Sequence, residues 1–150
     1  MKVIIVTGTP CTGKTTYAKK MAEERKYRYI DVGSFIKENK LEESYDKKRK
    51  SYVVDEKRLA DKLAGLIGHE RKAGEKGIVI DSHLSHFIDR KYVDLCIVTK
   101  CNLKELKKRL EKRGYSKAKV EENLQAEIFD ICLEEAREKG HNIKTVDTSK

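Results

Sequence analysis

Short apolar runs alternate with longer stretches in which apolar residues recur every three or four positions. Val3-Ile4-Ile5-Val6, closed by Gly8, has the pattern of a strand buried on both faces of a parallel sheet. A helix is expected from about Lys14 to Arg25, a second strand over Tyr27 to Val32, and a helical start from Gly33 to about Leu41. From Glu42 to Ser51 charge dominates without a period, which predicts an exposed, mobile segment. Asp55 is placed to cap a helix whose Leu59, Ala60, Leu63, Ala64, Leu66 and Ile67 fall at helical spacing, with Val54 set to staple against Leu59. Gly74 and Gly77 end it, and Ile78-Val79-Ile80 and Val93 to Val98 read as buried strands. The remainder predicts a helix between Leu103 and Glu111, one long helix from a Ser116 cap to about Lys139, and a last strand over Ile143 to Val146. Apolar strands alternating with helices require crossover connections, so the expected fold class is α/β, a doubly wound parallel sheet.

Composition narrows this picture without choosing a chemistry. A chain of 150 residues has the length of a single domain and can bury roughly two-thirds of its unfolded surface. No run of 18 or more apolar residues occurs and no signal peptide can be placed, so the expectation is a soluble, cytoplasmic protein without membrane contact. Cys11, Cys96, Cys101 and Cys132 form no CxxC pair and the four histidines no cluster at zinc spacing, which predicts free thiols and no zinc site. Lys and Arg number 34 against 25 Asp and Glu, a formal +9 that would attract nucleotide or RNA. A solvated face of a Lys/Glu-rich protein would give the same excess.

Residues 8 to 15 read GTPCTGKT, matching G-x-x-x-x-G-K-[ST] between a buried strand and a helix start. At average residue frequencies, that pattern arises by accident in about one chain in two hundred of this size. Gly8 and Gly13 let the backbone wrap an anion with N–H groups pointing inward, and the helix beginning near Lys14 adds the positive end of its dipole. Lys14 would reach the β- and γ-phosphates of a nucleoside triphosphate, and the Thr15 hydroxyl would ligate the Mg2+ bridging them. Thr16 would serve the α-phosphate side.

A carboxylate is needed near that metal, and Ile78-Val79-Ile80-Asp81 ends a strand in one. In open α/β sheets ligands sit at the carboxyl ends of the strands, where Asp81 and the glycine-rich loop would meet. His83, two residues on, leaves the strand at the same mouth and could orient a water or an acceptor hydroxyl, or simply satisfy a loop hydrogen bond. His86 reads as structural or surface, His69 and His141 as exposed. Arg109 and Arg113, four apart on one helix, can project together as lid arginines that neutralise transferring charge, or form an ordinary solvated face.

With these residues in place the chain resembles the atypical adenylate kinases of the isoenzyme-six type. The resemblance is carried by TGTPxxGKTT at 7 to 16, Tyr29-Ile30-Asp31-Val32-Gly33, Asp81-Ser82-His83, and Arg109 to Tyr115 running into Glu127-Ile128-Phe129. Conventional adenylate kinases carry something like D-G-F-P-R after the third strand; here Asp81 is followed by Ser82-His83-Leu84, without arginine. The resemblance implies ATP + AMP ⇌ 2 ADP together with ATP hydrolysis. It implies one kinase domain over 1–150, a monophosphate-binding segment near 31 to 54, a short lid near 112 to 122, Arg113 touching ATP, and Asp81 and His83 tied to ATP use. It also implies a role in small ribosomal subunit maturation, a small-subunit ribosomal protein of the platform as partner with rRNA close by, and no requirement for an own-chain oligomer. Cys11 and Thr12 stand where the family usually has Gly-Val, which leaves the loop's N–H donors in place for ATP. Two alternatives remain at this level: an ATP-gated assembly factor for which AMP phosphorylation is incidental, and a kinase for another small acceptor.

Overall fold

In a computed structural model of the chain, which describes residues 1–47 and 51–149 and only the backbone of Ser51 and Tyr52, the N-terminal apolar run forms β1 (Lys2–Thr7). Val3, Ile4, Ile5 and Val6 are fully buried, as only a strand covered on both faces can be. Parallel neighbours flank it, β5 (Gly77–Asp81) on one side and β6 (Leu95–Lys100) on the other. β2 (Arg28–Asp31) pairs beyond β5 and β7 (Ile143–Asp147) beyond β6, giving the all-parallel order β2-β5-β1-β6-β7. The register sets Val6 and Asp31 level with Asp81, so three strands end at one edge beside the glycine-rich loop.

Helices cover both faces, the doubly wound arrangement that the alternation predicted. On one face α1 (Lys14–Arg25) sets Ala18, Met21 and Ala22 against Ile4, Val6, Val79 and Ile97. On the other, α3 (Glu56–Lys72) and α6 (Ile131–Glu138) bring Leu59, Leu63, Ile67, Leu133 and Ala136 onto Val3, Ile5, Ile78 and Ile80. Each large aliphatic side chain withdrawn from water in this way contributes roughly 1.5–3 kcal/mol. Asp55 caps α3 by accepting from Arg58 N at 2.9 Å, and Val54 packs into the cluster that holds Leu59. Between β2 and α3 lies α2 (Val32–Glu38), capped by Asp31. A third cluster joins α4 (Leu103–Lys112) to α5 (Lys117–Ile128) through Leu106, Leu110, Val120 and Leu124, with Cys11 of the loop packed against it. Among the described residues no helix is long and apolar enough to cross a membrane.

Four expectations need correction. The segment from Glu42 to Ser51, exposed over Glu43 to Tyr45 as expected, does carry a period: β3 (Glu42–Asp46) and β4 (Ser51–Val54) pair antiparallel, although residues 48–50 lie outside the described residues. Charge on both exposed faces hid the strand period. The long helix over Ser116 to Lys139 is two helices, α5 and α6, because the chain turns at Asp130 with φ 51°. Lys100, at the end of β6, holds Glu127 at 2.9 Å and Asp130 at 2.5 Å and so fixes the corner, a distant contact that no local period can reveal. The strand set at Val93 to Val98 begins at Leu95, since a 3-10 turn over Arg90–Tyr92 precedes it. His141 is buried, its Nε2 2.8 Å from the carbonyl of His86.

Candidate functional site

The loop between β1 and α1 is shaped for an anion by what it lacks. Helices α2, α3, α4 and α5 each begin with a side chain, Asp31, Asp55, Asn102 and Ser116, accepting from a first-turn N–H. α1 begins at Gly13, φ 83°, with no side-chain cap. No side chain caps its first N–H groups, a trait it shares with α6, and they carry the positive end of the helix dipole toward the loop. Gly8, φ 150°, has no room for a side chain: a methyl group there would stand 2.8 Å from Thr12 Oγ1 and from Thr99 O. Thr12, fully buried, pins the loop by donating to Thr9 O at 2.6 Å and meeting Thr99 Oγ1 at 2.8 Å. Thr9 is itself anchored, its hydroxyl donating at 3.0 Å to the buried Glu127, which also accepts from Lys100 and from Cys101 N. Cys11 adopts φ 68°, a left-handed conformation that suits glycine better than a residue with Cβ.

Lys14 and Thr15 open α1 on the β5 side. Lys14 Nζ donates to Thr9 O at 3.1 Å. Burial lowers its pKa, and nearby Arg113 adds to that, while Cys132, Asp81 and Cys11 oppose it, so the pocket favours an anion beside this lysine. Thr15 Oγ1 donates to Asp81 Oδ2 at 2.7 Å, and Tyr29 OH donates to the same oxygen at 2.6 Å. Burial first, and the hydrogen bond to Asp81 second, push the Tyr29 phenol above its ordinary value, so it stays a donor. His83 is exposed at the same mouth, where partial desolvation by the loop, then the charges of Lys14 and Lys119, push its pKa below the usual 6.5. His86, by contrast, is fully buried, with Nδ1 2.7 Å from Thr7 Oγ1 and Nε2 3.1 Å from Glu135, and it serves the fold.

The opposite flank is built differently. Cys11, Gly13, Thr16, Tyr17, Arg109 and Arg113 line a cleft of about 490 Å³, closed by Asp147 and Thr148. The Arg109 guanidinium donates to Cys11 O at 3.4 Å, to Thr148 Oγ1 at 3.3 Å and to the Thr148 carbonyl, while its Nε pairs with Glu105 at 3.2 Å. Thr148 in turn donates to the carbonyl of Thr12. Arg113, exposed at the end of α4, is the arginine whose charge Lys14 feels. A larger groove, about 610 Å³ and lined by residues such as Glu56, Asp61, Arg90 and Glu138, shares no residue with the loop. Its mixed charges single out no ligand.

The residues the sequence offers for phosphate and metal thus lie at one edge of the sheet: Gly8 to Thr16 along the loop and first turn, Asp81 at the end of β5 with His83 just past it, Arg109 and Arg113 across the cleft. Tyr29 and Glu127 stand in the sequence only within stretches that carry the resemblance, with no role of their own, and Thr99 has no mark there at all. Tyr29 also carries a local signal, standing two residues before the end of a strand that could neighbour Asp81.

Comparison with known proteins gives the same direction. The model of the family described as "AAA domain" matches residues 4–130. The chain is 44% identical over 135 residues to an adenylate kinase isoenzyme 6 homolog of Schizosaccharomyces pombe, covering 90% of this chain and 74% of that protein. It is 42% identical to a putative adenylate kinase of Methanocaldococcus jannaschii, covering 95% and 76%. Among solved structures, a shikimate kinase from Acinetobacter baumannii superposes with TM-score 0.65 at 13% identity, covering all of this chain and 85% of that one, a likeness of fold.

Proposed function

The chain belongs to the isoenzyme-six adenylate kinase family, and from that premise we propose that it transfers the γ-phosphoryl group of ATP to AMP. The observation that carries the reading is the meeting of Lys14, Thr15 and Asp81 at the uncapped start of α1, with Thr15 Oγ1 2.7 Å from the Asp81 carboxylate.

Mg2+ fits that pair. Both donors are hard oxygens, and among the described residues no cluster of three or more His, Cys, Asp or Glu could hold a metal by itself. Such a set suits a cation that arrives with the nucleotide and keeps phosphate and water ligands. When bound, Mg2+ would neutralise charge on the β- and γ-phosphate oxygens. Thr15 would hold it directly, and Asp81 directly or through water. The amides of Gly8, Cys11, Gly13 and the first turn would cradle the phosphates, with Thr12 shaping the loop through its own amide, which donates to Thr9 O at 3.2 Å, Thr16 on the α-phosphate side, Lys14 reaching the γ-phosphoryl, and Arg109 and Arg113 reaching from the cleft. A phosphate oxygen of AMP, held by the segment near 31 to 54, attacks the γ-phosphorus; the bond to the β–γ bridging oxygen breaks, and two ADP result. A lid near 112 to 122, carrying Arg113, would exclude water. Most of the rate enhancement would come from positioning and preorganised charge.

His83 favours a second reading. A neutral imidazole near Lys14 can orient a water in place of AMP, making the protein an ATPase. Hydrolysis would then gate docking in the cytoplasm on a small-subunit ribosomal protein of the platform and nearby rRNA, for which the +9 charge is suited. Incubation with ATP and Mg2+, with and without AMP, separates the two. ADP formed at the full rate only with AMP supports the kinase, and AMP-independent ADP that a ribosomal protein or RNA stimulates supports the gate. Absence of ADP in every arm removes both.

A further inference from the structure

Asp81 Oδ2 accepts two hydrogen bonds, from Thr15 Oγ1 at 2.7 Å and from Tyr29 OH at 2.6 Å. Only the first donor belongs to the P-loop pattern. The second comes from β2, and sheet geometry explains how it arrives. β2 pairs with β5 so that Tyr29 stands opposite Val79, and both side chains pack on the α1 face of the sheet. Asp81 is two residues past Val79 and so turns to that face as well. Two residues of strand rise about 6.6 Å, which is the reach of a tyrosine ring leaning along the strand direction. The phenol therefore ends at the carboxylate, while its ring is held by the α1 cluster and by Lys19, whose Nζ lies 5.6 Å from the ring centroid.

We propose that Tyr29 is a positioning residue for the metal site: its hydroxyl holds the Asp81 carboxylate in the orientation that receives a nucleotide-bound divalent cation. The inference rests on the reading of Thr15 and Asp81 as the metal's protein donors. Thr15 must turn its oxygen lone pairs toward the cation, which ties its proton, but not its whole position, to Asp81. Tyr29 has no such second task. Its bond stays with the carboxylate whether the cation is present or absent, so Asp81, 7% exposed, does not need to be reoriented when nucleotide arrives. A group that holds a ligand from behind typically changes metal affinity by about 10- to 100-fold when removed.

The test is Tyr29→Phe, which keeps the ring and deletes one oxygen. Calorimetry measures ADP binding to wild type and variant, each in EDTA and in saturating Mg2+, and Mn2+ titration followed by electron paramagnetic resonance measures cation affinity for the protein–ADP complex. The expected result is unchanged ADP affinity in EDTA, an enhancement by Mg2+ that shrinks about tenfold, and Mn2+ binding weakened by the same factor. Equal loss of ADP affinity with and without metal would show that Tyr29 merely supports the fold, and the proposal would fall. An unchanged enhancement would also overturn it. If wild-type protein itself binds ADP no better with Mg2+ than without, the reading of Thr15 and Asp81 falls, and this proposal with it; normal wild-type enhancement with a silent variant sinks the Tyr29 proposal alone.

Discussion

The two flanks of the glycine-rich loop are made by different means. On the β5 side, side chains meet side chains: Thr15, Asp81 and Tyr29 converge on a single carboxylate oxygen, and all three are carried by the strand ends or by the helix that follows the loop. On the β7 side, side chains meet backbone: Arg109 donates to the carbonyls of Cys11 and Thr148, and Thr148 donates to the carbonyl of Thr12. The first construction fixes charge at one point and suits a cation and transferring phosphate. The second fixes the loop's path and leaves an open cleft beside it, which suits the remainder of a nucleotide. Register along a parallel sheet is enough to build the first, whereas the second needs segments 39 and 136 residues apart to close on each other.

That division is testable, beginning with the residue both flanks share. Lys14→Ala should lower ATP turnover by at least about a hundredfold, on the scale of losing one preorganised charge-stabilising donor. Turnover near that of wild type would take the loop out of the chemistry and make the comparison pointless. Next in size is Asp81→Asn, which keeps shape and removes charge; the Mg2+ concentration for half-maximal turnover should rise by about ten- to a hundredfold while the ATP KM at saturating Mg2+ moves little. Arg109→Ala should do the reverse: an ATP KM about tenfold higher, worth about 1.4 kcal/mol, with the Mg2+ midpoint unmoved. If Arg109→Ala shifts the Mg2+ midpoint as Asp81→Asn does, the two flanks are one electrostatic unit and the distinction fails. The smallest effect belongs to Cys11, whose left-handed backbone costs a residue with Cβ roughly 1–2 kcal/mol, partly offset by the greater freedom of an unfolded glycine. Urea unfolding of Cys11→Gly should show a gain of up to about 1 kcal/mol, and Cys11→Ala, which keeps Cβ, should show none.

The tyrosine and the corner at Asp130 show where local reading stops. The sequence shows Tyr29 as part of a strand and of a stretch shared with the family, but not its bond to Asp81, since that partner lies 52 residues away and the pairing of β2 with β5 is a tertiary fact. The break between α5 and α6 was invisible because Glu127 and Asp130 look like any acidic residues on a solvated helix until Lys100 of β6 draws both to itself. His141 looks exposed in the sequence for the same reason: no neighbour in sequence announces the carbonyl of His86, 55 residues away, that accepts from it. Cys96 and Cys101, in contrast, needed no partner to be read as free thiols, and both are buried without disulfides.

The sequence by itself determined the alternation of strands and helices, the apolar faces on which the sheet is wound, and the loop from Gly8 to Thr15, because each of these is a pattern among residues close together in the chain. Tertiary structure alone decided which carboxylate oxygen receives Tyr29, how Arg109 and Thr148 close the far side of the loop, and where the last long helix bends. Those depend on hydrogen bonds between side chains and backbone atoms tens of residues apart, and such bonds exist only after strand order and register have brought them within about 3 Å.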